Sequence, residues 1–249
     1  MPWDAAALVV RGPDGETVVA GGHSPDGRAE SVVQRVWDAD GALWFCADRT
    51  GVWSLYRWRP GSEVEALLDV GADIAGPQWR FGARRFAVLD DGRALLAFSR
   101  NGADRLAVRE ADGTVGELDL PYTAFRSVTA AGDSVVCVAG SPATEPVVLR
   151  VPADGGPAEI LRPARDPGVD PAWFSRPEHV PFPTPERGTG IDEAHALVYP
   201  PTNPEAAAPE GTLPPLLVVV HGGADGRGDL RAGPRGPKFG PRAASASPT

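Results

Sequence analysis

Cysteine is scarce in this 249-residue chain. Cys46 and Cys137 are the only two, and each sits inside an apolar run, Leu43 to Ala47 and Val135 to Ala139. That placement argues against a disulfide framework, a thiolate metal site or a cysteine nucleophile, and for two reduced thiols packed as small hydrophobes. Lysine is nearly absent too. Lys238 is the only one, and arginine carries the rest of the basic charge, a bias that fits GC-rich coding DNA. Long apolar runs are missing as well: Leu216 to Val220 is far too short to cross a bilayer, and Met1-Pro2-Trp3-Asp4 has neither a basic nor an apolar leader region. The expectation is a cytoplasmic protein without a membrane partner. A net charge of -9 opposes nucleic-acid binding through a global positive field. No pair among His23, His179, His195 and His221 has zinc-ligand spacing, so neither a metal nor a cofactor is expected.

What the chain does contain is β-periodicity. From about residue 30 to 162 almost no 3.6-residue pattern occurs, and a loose unit repeats: apolar-alternating strand, Asp-Gly type turn, second strand, polar turn, third strand. The first unit runs Val32 to Trp37, Ala42 to Ala47 and Val52 to Trp58. The second takes in Gln78 to Phe81, Arg85 to Leu89, Ala94 to Phe98 and Arg105 to Val108. The third comprises Thr123 to Thr129, Ser134 to Ala139 and Pro146 to Val151. Turn glycines Gly41, Gly92 and Gly132 lie 51 and 40 residues apart, near the period of four-stranded propeller blades. An antiparallel sandwich is the alternative. With strand-like pieces at Ala7 to Val10 and Thr17 to Ala20, the count reaches about three to four blades, short of a closed ring.

Between Arg162 and Phe182 five prolines mark an extended connector. Three strand-like runs follow, Glu178 to Phe182, Ala194 to Tyr199 and Leu216 to Val220, and read as successive strands of a new sheet. The last ends in His221-Gly222-Gly223, the form of a buried strand delivering a glycine loop to an active-site rim. In α/β-hydrolases such a loop gives a backbone N–H to the oxyanion hole, and a Gly-x-Ser-x-Gly turn brings the nucleophile later. No Gly-x-Ser-x-Gly occurs in this sequence. In the nearest string, Gly22-His23-Ser24-Pro25-Asp26, Pro25 removes the N–H that should follow the serine.

Phe45 to Tyr56, the neighbourhood of Leu120-Pro121-Tyr122, Ala139 to Pro142, Ala194 to Pro204 and Pro214 to Gly223, in that order along one chain, resemble the prolyl oligopeptidase family of serine peptidases. The likeness is greatest to its bacterial dipeptidyl aminopeptidase and acylaminoacyl peptidase group. It implies a mainly β chain: a partial β-propeller over 1–165, then a linker and the first strands of an α/β-hydrolase domain over 166–223. It further implies hydrolysis of a peptide substrate through a Ser-Asp-His acyl-enzyme, with Gly222 and Gly223 as oxyanion-loop candidates and His221 orienting that loop. A plain glycine turn ending a strand is the other reading of Gly222 and Gly223. The catalytic triad itself is absent from the chain.

After Gly223 the composition changes at once. The segment 224–249 is rich in Gly, Pro, Arg, Ser and Ala, carries five basic and two acidic residues, and has only Leu230 and Phe239 as large apolar side chains. It cannot bury enough surface to offset its ordering entropy and is expected to be disordered. A change of reading frame accounts for the switch; a basic tail that binds a partner is the alternative. Three functional expectations follow from these features. The first is a peptidase fragment inactive alone, and the second a non-catalytic propeller that binds protein. The third is one half of a split enzyme, completed by a C-terminal hydrolase fragment.

Overall fold

The computed structural model describes residues 4–13, 15–25, 27–68, 71–76, 82–183 and 193–219. Two hairpins open the chain: β1 (Leu8–Gly12) with β2 (Gly15–Ala20), and β3 (Gly22–His23) with β4 (Ala29–Glu30). Three antiparallel four-stranded sheets follow, each wound in sequence order. The first holds β5 (Val32–Trp37), β6 (Leu43–Ala47), β7 (Ser54–Trp58) and β8 (Glu65–Leu68). The second holds β9 (Phe86–Val88), β10 (Ala94–Arg100), β11 (Ala103–Arg109) and β12 (Val115–Glu117). The third holds β13 (Ala124–Ala131), β14 (Ser134–Ser141), β15 (Thr144–Pro152) and β16 (Glu159–Arg162). The chain is thus mainly β, a partial propeller of three blades. Gly41, Gly92 and Gly132 take φ of 76°, 82° and 68° in the equivalent turns between first and second strands.

Side-chain alternation shows why these sheets are blades. In β6, Trp44 and Cys46 pack with Leu96 and Phe98 of the second blade, whereas Leu43, Phe45 and Ala47 pack with Leu8 and Ala20 of the first hairpin. In β10, Leu95 and Ala97 turn the other way, onto Phe125, Cys137 and Leu149 of the third blade. Both faces of the first two blades are therefore dry, and a strand buried on both sides reads as the unbroken apolar run that Leu43 to Ala47 and Ala94 to Phe98 show. A two-layer sandwich would bury one face of each sheet, so the sandwich alternative is set aside. Each fully buried large side chain contributes roughly 1.5–3 kcal/mol, which makes these stacked interfaces the main source of cohesion.

Two features depart from the sequence reading. Each blade has a fourth strand, β8, β12 or β16, short and mostly exposed. The apolar run Leu216 to Val219 joins no sheet: Leu216 is 85% and Val218 70% exposed. A β-strand exists only where its N–H and C=O groups find a neighbour, and no described strand lies beside this run. The preceding two runs do pair, as β17 (Glu178–Pro183) and β18 (Glu193–Val198). Before them the proline-rich connector holds a single 3-10 turn, Pro171–Trp173, capped by the Asp170 carboxylate accepting from Ala172 N–H. Among the described residues no helix is long and apolar enough to cross a membrane. The second unit's Gln78 to Phe81 lies outside the described residues.

Candidate functional site

The first strands of the three blades converge and are tied to one another by hydrogen bonds. Gln34, in a bulge of β5 with φ of 41°, accepts from Arg85 N–H through Oε1 at 2.5 Å and donates through Nε2 to Phe86 O at 2.6 Å. A side-chain amide thereby takes the place of a neighbouring strand at the free edge of β9. Arg84 O accepts from Val128 N–H at 3.1 Å, joining the second blade to a bulge in β13.

At the centre lies Arg85. Its Nη1 donates to Asp104 Oδ2 at 2.8 Å and to Phe125 O at 2.7 Å, its Nη2 to Asp104 Oδ1 at 3.1 Å and Ser99 Oγ at 3.2 Å, and its Nε to Ile74 O at 3.3 Å. Asp104 also accepts from Ser99 Oγ at 2.5 Å and Phe125 N–H at 3.0 Å. Burial pushes the Asp104 carboxyl up, but the Arg85 charge and these donated hydrogen bonds outweigh it and hold the group below its ordinary range. The network is a structural clasp that fixes three blades to one another.

The hairpin β17–β18 sits where the second strands of the blades turn into the third. Its seat is the Asn101-Gly102 turn between β10 and β11, where Gly102 has φ of 79°. A Cβ on Gly102 would come within 2.6 Å of Leu197 Cδ2 and 3.7 Å of His179 Cδ2. Glycine is needed here twice, for the turn conformation and for the close approach of the hairpin. Between hairpin and blades opens a cleft of about 780 Å³, with Asn101, Arg105, Tyr122, Ser141, Arg176 and Tyr199 on its walls. Beside it His179 Nε2 and His195 Nδ1 share a hydrogen bond at 3.0 Å, their rings stacked at 5.0 Å, and Glu193 Oε1 lies 3.8 Å from His195 Nδ1. The sequence offered no reason to join these two histidines; only the register, which sets His179 opposite Leu197 and His195 opposite Pro181 on one face, does so. Among the described residues no three acidic, histidine or cysteine side chains gather into a metal site.

His221, Gly222 and Gly223, the residues that the sequence nominates for an oxyanion loop, lie outside the described residues. Cys46 and Cys137 are both free and buried; burial pushes the Cys46 thiol far up and that of Cys137 to about 11, which makes each a core residue. The clasp was not legible in advance. Its nearest sequence signal is the Arg84-Arg85 pair at the entry to an apolar strand, which by itself names no partner.

No family model and no curated protein matches the chain. Solved structures do. A Mycobacterium tuberculosis puromycin-hydrolysing peptidase is 34% identical over 86% of this chain, with a TM-score of 0.73, and a puromycin hydrolase is 31% identical over the same share, also at 0.73. The chain spans 32% of the length of each. A prolyl endopeptidase, 13% identical over 74% of the chain at a TM-score of 0.54, shares the fold. With identity of 31–34% along 86% of its length and TM-scores of 0.72–0.73, the chain belongs to the prolyl oligopeptidase family of peptidases.

Proposed function

We propose that this chain is the part of a serine peptidase that shields and positions a peptide substrate, and that the chemistry of the whole enzyme is acyl transfer to water through a Ser-Asp-His triad. The observation that carries this reading is the identity to puromycin-hydrolysing peptidases over nearly the whole chain. A puromycin hydrolase variant solved in complex with PGG adds a peptide ligand to that group. In this reading residues 1–165 form the propeller portion. Residues 166–223 lead into an α/β-hydrolase domain, and 224–249 are a tail of altered reading frame. Gly222 and Gly223 would offer backbone N–H groups to the developing oxyanion, unobstructed because neither carries a Cβ, with His221 steadying the loop. The cleft between β17–β18 and the blades is where the peptide enters.

The 249-residue chain has no Gly-x-Ser-x-Gly nucleophile turn, so on its own it forms no acyl-enzyme. Purified alone, it is expected to turn over aminoacyl and peptidyl nitroanilides no faster than a heat-treated sample. Sustained turnover abolished by a serine-directed phosphonate would refute this. Sequencing the DNA on both sides of the Gly223 codon, in all frames, tests the altered tail and shows whether a hydrolase fragment able to complement this chain is encoded next to it.

A second reading, a non-catalytic module that binds protein, draws support from apolar residues left open at both ends of the stack. Val9 and Val18 are 45% and 67% exposed on the first hairpin, and Ile160 and Leu161 are about half exposed on the third blade. A homogeneous soluble species that captures one defined partner would favour it over the peptidase fragment.

A further inference from the structure

We infer that His179 and His195 form a two-histidine chelate on the β17–β18 hairpin for a borderline divalent transition-metal ion, Cu²⁺ or Zn²⁺. No part of this depends on the peptidase reading.

The two histidines stand 16 residues apart, and the antiparallel register is what joins them. His179 is opposite Leu197 and His195 opposite Pro181, which makes the pair diagonal neighbours on one face of the hairpin, within reach of each other's rings. The second blade steadies one of them. A Cβ on Gly102 would lie 3.7 Å from His179 Cδ2, so that ring rests against the Asn101-Gly102 turn. His195 is 57% exposed and open to a dissolved ion. Among the described residues neither ring has a hydrogen-bond partner other than its fellow.

His179 Nε2 and His195 Nδ1 are 3.0 Å apart. Two imidazole nitrogens bound at ~2.0–2.1 Å to one ion, at an angle between a right angle and the tetrahedral one, stand roughly 2.8–3.4 Å from each other. The pair is therefore spaced for an ion with the backbone left in place. The ring centroids, 5.0 Å apart, are farther from each other than the nitrogens are, so both nitrogens lie on the near edges of their rings. Loading costs one tautomer shift. In the neutral pair one of the two nitrogens carries the shared hydrogen; moving it to the far nitrogen of its own ring frees both lone pairs, and no net proton leaves.

Glu193 Oε1, 3.8 Å from His195 Nδ1, supplies a negative charge that draws a cation in. Water fills the remaining coordination positions, since the two histidines fall short of a three-residue cluster, which the described residues lack. Arg105 and Arg176 stand with His179 on the cleft wall and repel a cation, so the ion enters from the open His195 side. Imidazole suits Cu²⁺ and Zn²⁺, whereas Mg²⁺ and Ca²⁺ demand oxygen donors, and Cu²⁺ heads the affinity order. An ion held here cross-links β17 to β18 at the edge of the cleft.

The test is calorimetric titration of the full chain, purified without a polyhistidine tag and stripped of metal, with Zn²⁺, Cu²⁺ and Mg²⁺. One equivalent of Zn²⁺ or Cu²⁺ should bind, Cu²⁺ about tenfold or more the tighter, and Mg²⁺ should not. Affinity should fall about tenfold or more between pH 7.5 and 5.5, where protons take the same lone pairs. His179→Gln and His195→Gln should each weaken binding about tenfold or more, and Glu193→Gln by less. His23→Gln and His221→Gln should leave it unchanged. Electron paramagnetic resonance of the Cu²⁺ complex should show coupling to two imidazole nitrogens, and to one in either of the first two variants. Circular dichroism shows whether each variant is folded; should one unfold, the nitrogen count in the native chain decides. No saturable binding of Zn²⁺ or Cu²⁺ below about 1 mM would overturn the inference. So would an affinity that survives both histidine substitutions, or coupling to a single nitrogen in the native chain.

Discussion

Replacing Asp104 by alanine should cost this fold more than almost any other single polar change. The carboxylate is 9% and the Arg85 guanidinium 20% exposed, so removing the first leaves the second largely desolvated without a counter-charge. It also strands Phe125 N–H, which has Asp104 Oδ2 as its acceptor at 3.0 Å, and the Ser99 hydroxyl. Breaking one side of a buried pair typically costs about 3–5 kcal/mol, whereas replacing both partners with apolar side chains is often close to neutral. Urea unfolding followed by tryptophan fluorescence should therefore show Asp104→Ala destabilised by about 3–5 kcal/mol, and Arg85→Met/Asp104→Leu recovering much of that loss. The pH dependence has a definite sign. The folded Asp104 carboxyl titrates below its unfolded value, so its contribution is complete above about pH 4 and disappears as pH falls through the folded value. The stability gap between the native chain and Asp104→Ala should close as pH is lowered below about 4. Hydrogen exchange adds a spatial readout, since protection should fall first at Phe125 and Val128, the residues the clasp holds in the third blade. A variant within about 1 kcal/mol of the native chain at pH 7 would refute the view that this pair clasps the blades.

Two further outcomes are expected. Gly102→Ala and Gly132→Ala both force alanine into positive φ, at roughly 1 kcal/mol each, but an added Cβ meets nothing within 4 Å at Gly132 and meets Leu197 at Gly102. Thermal unfolding should show Gly102→Ala the worse by about 1 kcal/mol, and equal losses would mean that the hairpin is not seated on that turn. Ellman's reagent should find no reactive thiol in the native chain and two after denaturation, because Cys46 and Cys137 are buried and their thiols held protonated. Rapid native labelling of either would contradict the placement of β6 or β14 in the core.

Much of the blade architecture was readable in advance because its determinants are local. Asp40-Gly41, Asp91-Gly92 and Gly132-Asp133 mark turns, and apolar runs such as Leu43 to Ala47 can only be strands buried on both faces. The outer strands escaped notice for the complementary reason. Glu65 to Leu68, Val115 to Glu117 and Glu159 to Arg162 are short and largely solvent-facing, so no burial pattern is imposed on them and pairing alone makes them strands. The run Leu216 to Val219 fails in the opposite sense: its composition satisfies every local criterion for a strand, yet β-structure is a property of two segments, and composition records one.

The same distinction separates what could and could not be read of the site. An oxyanion loop leaves a trace, because glycine is the residue that lets a backbone N–H approach a developing charge, and Gly222-Gly223 shows it plainly. The clasp leaves almost none. Gln34, Arg85, Ser99, Asp104 and Phe125 are spread over 92 residues of sequence, and five of the nine hydrogen bonds that tie them together have a backbone atom at one end. A main-chain acceptor has no residue type, so no motif can announce it.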